Sequence, residues 1–199
     1  MLVLEQENQG LYDRVQEKNL LRQYDLLTNC IEIGLTKGDP TAFDKYMLWS
    51  LNHAAVSSIA QHGGRFRREP IYVGNHRPPH FDAVDDEMDR FISHVHENWY
   101  LYSPVEVAAY SLWRLNWIHP FIEGNGRTAR AACYYVLCVR HGALLGGRKI
   151  LPERIKDDRA GYEQALEHAD QKWDEGDLDF SRMEEYLAAL VQAQLDDAD

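Results

Sequence analysis

Residues 119–130 read His119-Pro120-Phe121-Ile122-Glu123-Gly124-Asn125-Gly126-Arg127-Thr128-Ala129-Arg130, and the fold of the chain can be argued outward from them. Before this stretch, residues 104–118 show the apolar spacing of a helix, which the His119-Pro120 pair ends. After it, apolar residues return at helical spacing: Ala129, Ala132, Cys133, Val136 and Leu137. We therefore predict a loop that opens into the N-terminus of a second helix.

The predicted helix N-terminus has the features of a phosphate site. Gly124 and Gly126 carry no side chains, so their backbone can adopt positive φ angles and approach a ligand closely. Backbone N–H groups at a helix start, with the positive end of the helix dipole behind them, attract phosphate. Arg127 and Arg130 lie three residues apart, which allows both guanidinium groups to bind one polyphosphate from the same face.

Two further residues suit a reaction at this site. Glu123 offers a carboxylate oxygen where a Mg²⁺ ion would accompany a nucleoside triphosphate. His119, at the entrance to the loop, can take up a proton near neutral pH. The alternative interpretation is a glycine-rich helix cap with two solvated arginines and a structural histidine.

These residues resemble the signature of the Fic family, His-x-Phe-x-[Asp/Glu]-Gly-Asn-Gly-Arg-x-x-Arg, at every defining position. The resemblance implies an all-helical enzyme that transfers a nucleotide, usually AMP from Mg²⁺-bound ATP, to a hydroxyl group of a target protein. It also implies a role for each residue of the motif. His119 would be the general base, and Glu123 would be the Mg²⁺ ligand. The α- and β-phosphates would be bound by Gly124, Asn125 and Gly126 with help from Arg127. Arg130 would bind the γ-phosphate, and Phe121 would anchor the loop in the core.

Composition limits the other classes of function. The chain has 199 residues and a formal net charge of −11, which argues against a nucleic-acid-binding surface. Its three cysteines form no CxxC pair, and two of them lie on or beside a helical apolar stripe, so we expect reduced thiols. Because no signal segment or membrane-length apolar run is evident, we expect a soluble, cytoplasmic protein without a membrane partner.

The apolar spacing predicts an all-α fold with one small β-hairpin. Helices are expected at residues 11–33, 40–61, 84–98, 104–118, in the motif up to His141, at 153–170 and at 180–195. We divide the chain into an N-terminal helical extension (1–38), a core domain (39–142) and C-terminal helices packed on that core (143–199).

The hairpin is expected within residues 65–79, where Ile71, Tyr72 and Val73 precede the turn residues Gly74-Asn75. In the Fic family the corresponding segment is a flap whose strand edge pairs with an extended piece of the target protein. The same pattern is typical of a surface hairpin that only covers the core. Arg65, Arg67, Arg68 and Arg77 are expected to be solvated or paired with nearby acids.

Many Fic proteins carry an inhibitory helix, [Ser/Thr]-x-x-x-Glu-[Gly/Asn], whose glutamate pairs with the second arginine of the motif. Thr28 to Glu32 and Ser181 to Glu185 have this spacing, but Ile33 and Tyr186 stand where Gly or Asn belongs. Inhibition by Glu32, by Glu185 or by a separate partner protein therefore stays open.

Two other functions remain as alternatives to nucleotide transfer. Doc-like kinases of the same fold carry a lysine in place of the second glycine, so Gly126 favours nucleotidyl over phosphoryl transfer. A catalytically silent nucleotide-binding or scaffold protein would typically lack the histidine, which is present here as His119. The target protein, the preferred nucleotide base and the oligomeric state do not follow from the sequence.

Overall fold

The computed structural model describes residues 9–74 and 76–197, which form a mainly helical structure without a β-strand in these ranges. The predicted all-α class is therefore confirmed. The helices are α1 (Gln9–Lys37), α2 (Lys45–Val56), α3 (Val84–Asn98), α4 (Pro104–Ile118), α5 (Asn125–His141), α6 (Leu151–Asp157), α7 (Arg159–Asp174) and α8 (Ser181–Asp196).

Helices α4 and α5 form the centre of the molecule. Helix α4 begins with a capping box, in which the Ser103 side chain accepts the Glu106 N–H and the Glu106 carboxylate accepts the Ser103 N–H. Pro104 occupies the first helical position, where its missing N–H costs nothing. Because α4 is buried on nearly all sides, it gives the residue that follows it, His119, a rigid support.

The remaining helices surround this pair. Helices α1 and α2 pack on α5, while α3, α7 and α8 pack on α4. One hydrophobic cluster extends from Leu27 in α1 to Leu187 in α8, with Trp99, Trp113 and Tyr134 among its largest members. The three predicted parts of the chain thus share one core, and the boundaries at 38 and 142 stay a prediction.

The second predicted helix is shorter than expected. Asp39 caps a 3₁₀ turn, Pro40–Ala42, and α2 then begins separately because the Asp44 side chain accepts the Met47 N–H at 2.7 Å. The helix stops at Val56, since Ser57 is extended (ψ 131°) and Ser58 has a φ of 63°. The expected continuation to residue 61 is therefore wrong.

Residues 153–170 were expected to form one helix, and the structure divides them at Asp158. That residue leaves helical geometry (φ −97°, ψ 64°), and its side chain accepts the Gly161 N–H at 3.3 Å. It therefore ends α6 and caps α7.

The predicted β-hairpin at residues 65–79 is not shown. The described part of this segment contains a single antiparallel bridge, between Val73 and His76, and Tyr72 is 85% exposed. Pro70, Pro78 and Pro79 lack the N–H groups that paired strands require. Asn75 lies outside the described residues, as do residues 1–8 and 198–199.

Within residues 9–74 and 76–197, every helix is too short or too polar to cross a membrane.

Candidate active site

The backbone of His119 is turned sharply at the end of α4. The residue has a left-handed conformation (φ 49°, ψ 59°), which side-chain-bearing residues adopt rarely and at some cost in energy. Its N–H donates to the Leu115 carbonyl at 3.0 Å, and its own carbonyl accepts a hydrogen bond from the Arg67 Nε at 2.8 Å. These two bonds hold the turn that leads into the motif loop.

The imidazole ring of His119 is arranged as a base. Its Nδ1 lies 3.1 Å from the Asn116 carbonyl oxygen, which can only accept, so Nδ1 carries the proton and Nε2 is left with a lone pair. Burial lowers the pKa of His119 to about 4, with smaller contributions from His76 and Arg67, while the Asn116 contact opposes the shift. The ring is therefore neutral at physiological pH.

Arg67 is a part of this site that the sequence did not indicate. The residue is 2% exposed, so the expectation of a solvated surface arginine is wrong for it. In addition to its Nε bond to His119, its Nη2 donates to the Pro79 carbonyl at 2.6 Å and its backbone N–H donates to the Pro120 carbonyl at 2.8 Å. Arg67 thus joins the segment 65–79 to the start of the motif loop.

Phe121 and Asn125 close the loop on itself. The Asn125 side chain accepts the Phe121 N–H and donates to the Phe121 carbonyl, both at 2.8 Å. Phe121 is 1% exposed and packs against Phe66 with ring centroids 5.6 Å apart. Because both polar atoms of the Asn125 side chain are engaged, the group that it can offer a phosphate is its backbone N–H.

The two motif glycines are required for different structural reasons. Gly124 caps α5 with a φ of 80°, and a Cβ atom there would lie 2.5 Å from the Val56 Cγ1. A Cβ atom on Gly126 would approach only the Arg130 Nη1, at 3.2 Å. Gly124 is therefore required by the backbone and the neighbouring helix, whereas Gly126 keeps space open in front of α5.

Asn52 supports the loop from α2, and sequence reasoning gave it no role. It is 1% exposed; its Nδ2 donates to the Glu123 carbonyl at 2.9 Å, and its Oδ1 accepts the Gly64 N–H at 2.9 Å. Its neighbour His53 is exposed.

Glu123 and Arg127 form an ion pair at the start of α5. The Arg127 Nη2 donates to the Glu123 Oε1 at 2.9 Å, and the Arg127 Nη1 donates to the Ala55 carbonyl at 2.7 Å. No group of three or more His, Cys, Asp or Glu side chains within the described ranges could hold a metal ion. A Mg²⁺ ion at Glu123 would therefore need phosphate oxygens and water as its other ligands, as is usual for this ion.

Arg130 has no hydrogen-bond or ion-pair partner among the described residues, although it is partly buried. Burial lowers the pKa of Arg130, and no carboxylate is among the groups that oppose this shift. Neither Glu32 nor Glu185 supplies a negatively charged partner for Arg130: both are exposed, and neither forms an ion pair with it in the described structure.

The predicted phosphate-binding residues meet in one cavity of about 310 Å³. It is lined by Tyr12, Gln16, His119, Ile122, Glu123, Gly124, Asn125, Gly126, Arg127 and Arg130. Tyr12 and Gln16 belong to α1, so the N-terminal helix forms part of the wall. No sequence pattern indicated this, since the two residues lie more than 100 positions before the motif.

A groove of about 950 Å³ opens on the other side of His119. Val73, His76, Trp117 and acidic residues of α7 line it. Of the three residues predicted to dock a target, the structure thus brings Val73 to this groove, while Ile71 and Tyr72 are absent from its lining.

Comparison with solved structures agrees with this architecture. Fic-1 (residues 134–508) from Caenorhabditis elegans superposes with a TM-score of 0.71 at 21% identity, covering 91% of this chain and 49% of the other. A Fic-domain-containing signalling protein from Bacteroides thetaiotaomicron gives a TM-score of 0.68 at 18% identity, covering 88% and 70%. Together they place the chain among all-helical proteins with the Fic fold.

Sequence comparison identifies the family. The model of the Fic/DOC family matches residues 42–137. A protein named protein adenylyltransferase Fic from Aedes aegypti is 44% identical over 69 residues, and one from Drosophila persimilis is 42% identical over 71 residues. Each alignment covers 34% of this chain but only 14% of the relative, so the chain spans a small part of the length of these relatives. The chain belongs to the Fic/DOC family.

Proposed function

We propose that the protein transfers AMP from Mg²⁺-bound ATP to a Ser, Thr or Tyr hydroxyl of a target protein. The observation that carries this proposal is a single cavity shared by a neutral histidine, the N-terminus of α5 and an arginine that no described residue pairs with. The relatives named protein adenylyltransferase support the same assignment.

The donor nucleotide is held by its phosphates. The N–H groups at the start of α5, including those of Asn125 and Gly126, face the α- and β-phosphates with the positive end of the helix dipole behind them. Arg130 binds the terminal phosphate, whose negative charge compensates the buried guanidinium. Arg127 contributes from its position beside Glu123.

His119 acts on the acceptor. Its Nε2 removes the proton of the target hydroxyl as the hydroxyl oxygen forms a bond to the α-phosphorus. The bond between that phosphorus and the bridging oxygen breaks, and pyrophosphate leaves with the electron pair. The His119 imidazolium that results releases its proton to solvent or to the product.

Glu123 is the residue that would hold Mg²⁺. Its Oε1 is engaged by Arg127 and by the Gly124 N–H at 3.0 Å, whereas no described residue donates a hydrogen bond to its Oε2. A bound Mg²⁺ ion would neutralise charge on the phosphates and on the departing pyrophosphate.

The acceptor segment docks in the groove beside His119, along the docking segment, which consists of the described residues 71–74 and 76–77. Val73 lines this groove together with His119, so a chain laid along it brings one side chain to the base.

Phosphoryl transfer is the alternative reaction, and the position of the radioactive label in ATP distinguishes the two. With ATP labelled at the α-phosphate, we expect label on a hydroxyl of protein in a cell lysate or of the enzyme itself, with the mass gain of AMP. With ATP labelled at the γ-phosphate, we expect none, because Gly126 leaves the α- and β-phosphates room to lie deep against α5.

The control for this experiment is His119→Ala, which should lower transfer by about 10²–10⁴-fold while nucleotide binding is retained. Label arriving from the γ-phosphate would establish a kinase. Label from neither position, with ATP still bound, would favour a silent nucleotide-binding module.

A further inference from the structure

His76 connects the docking segment to two helices. Its Nε2 lies 2.8 Å from the Trp117 carbonyl oxygen in α4, and its Nδ1 lies 3.3 Å from the Asp170 Oδ2 in α7. The two side chains are only 20% and 27% exposed. The backbone N–H of His76 also donates to the Val73 carbonyl at 2.9 Å, so the same residue closes the turn at the end of the segment.

These contacts fix the number of protons on the pair. A carbonyl oxygen only accepts, so Nε2 must donate to Trp117. A neutral imidazole then presents the lone pair of Nδ1 to the Asp170 carboxylate, and the two would repel each other. The arrangement is attractive only if one further proton lies between Nδ1 and Asp170, on either partner.

Asp170 is suited to hold that proton with His76. Its Oδ1 accepts the Trp113 Nε1–H at 2.8 Å, which fixes the carboxylate against α4. Burial raises the pKa of Asp170, and the Trp113 hydrogen bond and His76 act in the opposite direction. The other charged groups that act on Asp170 are Arg114 on α4 and Asp174 on α7, and the neutral His119 lies close to His76. Arg77 of the docking segment, together with Arg159 and Glu167 of α7, lines the same groove.

Arg114 is itself held away from Asp170 by other partners. Its Nη2 donates to Glu87 at 2.7 Å, and its guanidinium carbon lies 4.0 Å from the Trp117 ring centroid and 4.2 Å from that of Trp173. His76 is therefore the basic side chain in direct contact with Asp170.

We propose that His76 and Asp170 are positioning residues that fasten the docking segment beside His119, and that the proton shared by the pair makes this attachment strongest at low pH. The role in acceptor docking rests on the proposed function; the attachment itself does not. Since the fastened state holds the extra proton, raising the pH removes it and weakens the attachment.

The same pair influences the base. His76 is one of the groups that lower the pKa of His119, after the larger effect of burial. The residue that fastens the segment therefore also helps to keep the proposed base neutral.

Amide hydrogen exchange of the nucleotide-free protein tests the attachment without any activity. We expect the protection of amides in residues 71–77, corrected for the intrinsic pH dependence of exchange, to fall about tenfold between about pH 5.5 and pH 9 in the wild type. His76→Ala should show the low protection at every pH, while the amides of α4 and α5 stay protected.

The Asp170→Asn variant distinguishes the effect of the shared proton from the effect of the contact between residues 76 and 170. The Asn Oδ1 still accepts from Trp113, and its Nδ2 can donate to a neutral His76 Nδ1, so the segment should stay fastened but lose its pH dependence. The matched control is Asp82→Asn, because His80 and Asp82 form a pair at the same 3.3 Å distance with both side chains exposed (64% and 76%). This control should behave as the wild type.

In transfer assays, His76→Ala should raise KM for the protein acceptor about tenfold with little change in ATP affinity, and should move the acidic limb of the pH profile upwards from about 4. Protection that is independent of pH in the wild type, or an equal response of Asp82→Asn and Asp170→Asn, would overturn the proposal. If the wild type transfers no AMP yet shows the expected exchange, the proposed function fails while the fastening by His76 and Asp170 stands.

Discussion

The Arg67 Nε donates a hydrogen bond of 2.8 Å to the carbonyl oxygen of His119, although the two residues lie 52 positions apart in the chain. The bond holds His119 in its left-handed conformation and so directs the imidazole into the space between the two cavities. The geometry of the proposed base therefore depends on an arginine that contacts only the backbone around the reacting groups.

We predict that Arg67→Met lowers both stability and activity. The change leaves the carbonyl oxygens of His119 and Pro79 without their donor, which costs about 3 kcal/mol of unfolding free energy. Denaturant unfolding measures the loss, and AMP transfer at a temperature where the variant is folded should also fall. Arg68→Met is the matched control, since Arg68 is exposed and pairs with Asp85 at the surface; it should change stability by less than about 0.5 kcal/mol.

We predict that transfer by the wild type extends to unusually acidic pH. The base must be neutral, and burial lowers the pKa of His119 to about 4, so kcat/KM should fall only as pH drops through about 4. A rate profile between about pH 3.5 and 8, restricted to conditions where circular dichroism shows a folded protein, measures this limb. An acidic limb near the ordinary histidine value of about 6.5 would contradict the assignment of His119 as a buried base.

We predict opposite consequences for substitutions of the two motif glycines. Gly124→Ala should cost about 2 kcal/mol or more, because a Cβ atom there meets Val56 at 2.5 Å and the φ of 80° is unfavourable for alanine. Gly126→Leu should leave stability unchanged or raise it by up to about 0.8 kcal/mol, since glycine is the poorer helix former.

Gly126→Leu should nevertheless reduce AMP transfer at least about tenfold, because its side chain enters the phosphate cavity. Thermal unfolding and ATP titration by calorimetry separate the two effects. A Gly126 variant that loses stability but binds ATP normally would show that this glycine serves the backbone and not the ligand.

We predict that Arg130→Ala impairs the use of ATP with little loss of stability, because its partner is the ligand. Glu32→Gly and Glu185→Gly should both transfer AMP at the wild-type rate, since neither glutamate pairs with Arg130. The assay is initial velocity at an ATP concentration below KM. A marked increase in rate for either glutamate variant would indicate that α1 or α8 restrains the site in a conformation other than the one described.

Local signals accounted for the parts of the fold that the sequence predicted well. The predicted start of α4 at residue 104 and end of α5 at His141 are correct, because the groups that end a helix, here the Ser103 capping box and Gly142, lie within four residues of that end. The same reasoning failed at Asp39 and Asp44, since both aspartates can cap a helix and periodicity alone does not show which one starts α2.

The supports of the site were beyond sequence reasoning because their partners are distant in the chain. Asn52 reaches Glu123 across 71 positions, and Arg67 reaches His119 across 52. An arginine becomes a buried residue only when the fold brings backbone carbonyls around its guanidinium. Asn125 is a different case: the motif predicted its presence at the phosphate site, whereas its side chain is directed four residues back to Phe121.

The position of Tyr12 and Gln16 in the wall of the phosphate cavity has a consequence for how the protein can be divided. The family match begins at residue 42, so it leaves out the part of α1 that lines the phosphate cavity. Residues 42–137 placed in another protein would carry the motif residues but lack the wall of the cavity that α1 provides. A shortened chain that is to carry out the proposed transfer must therefore keep α1 as well as the family domain.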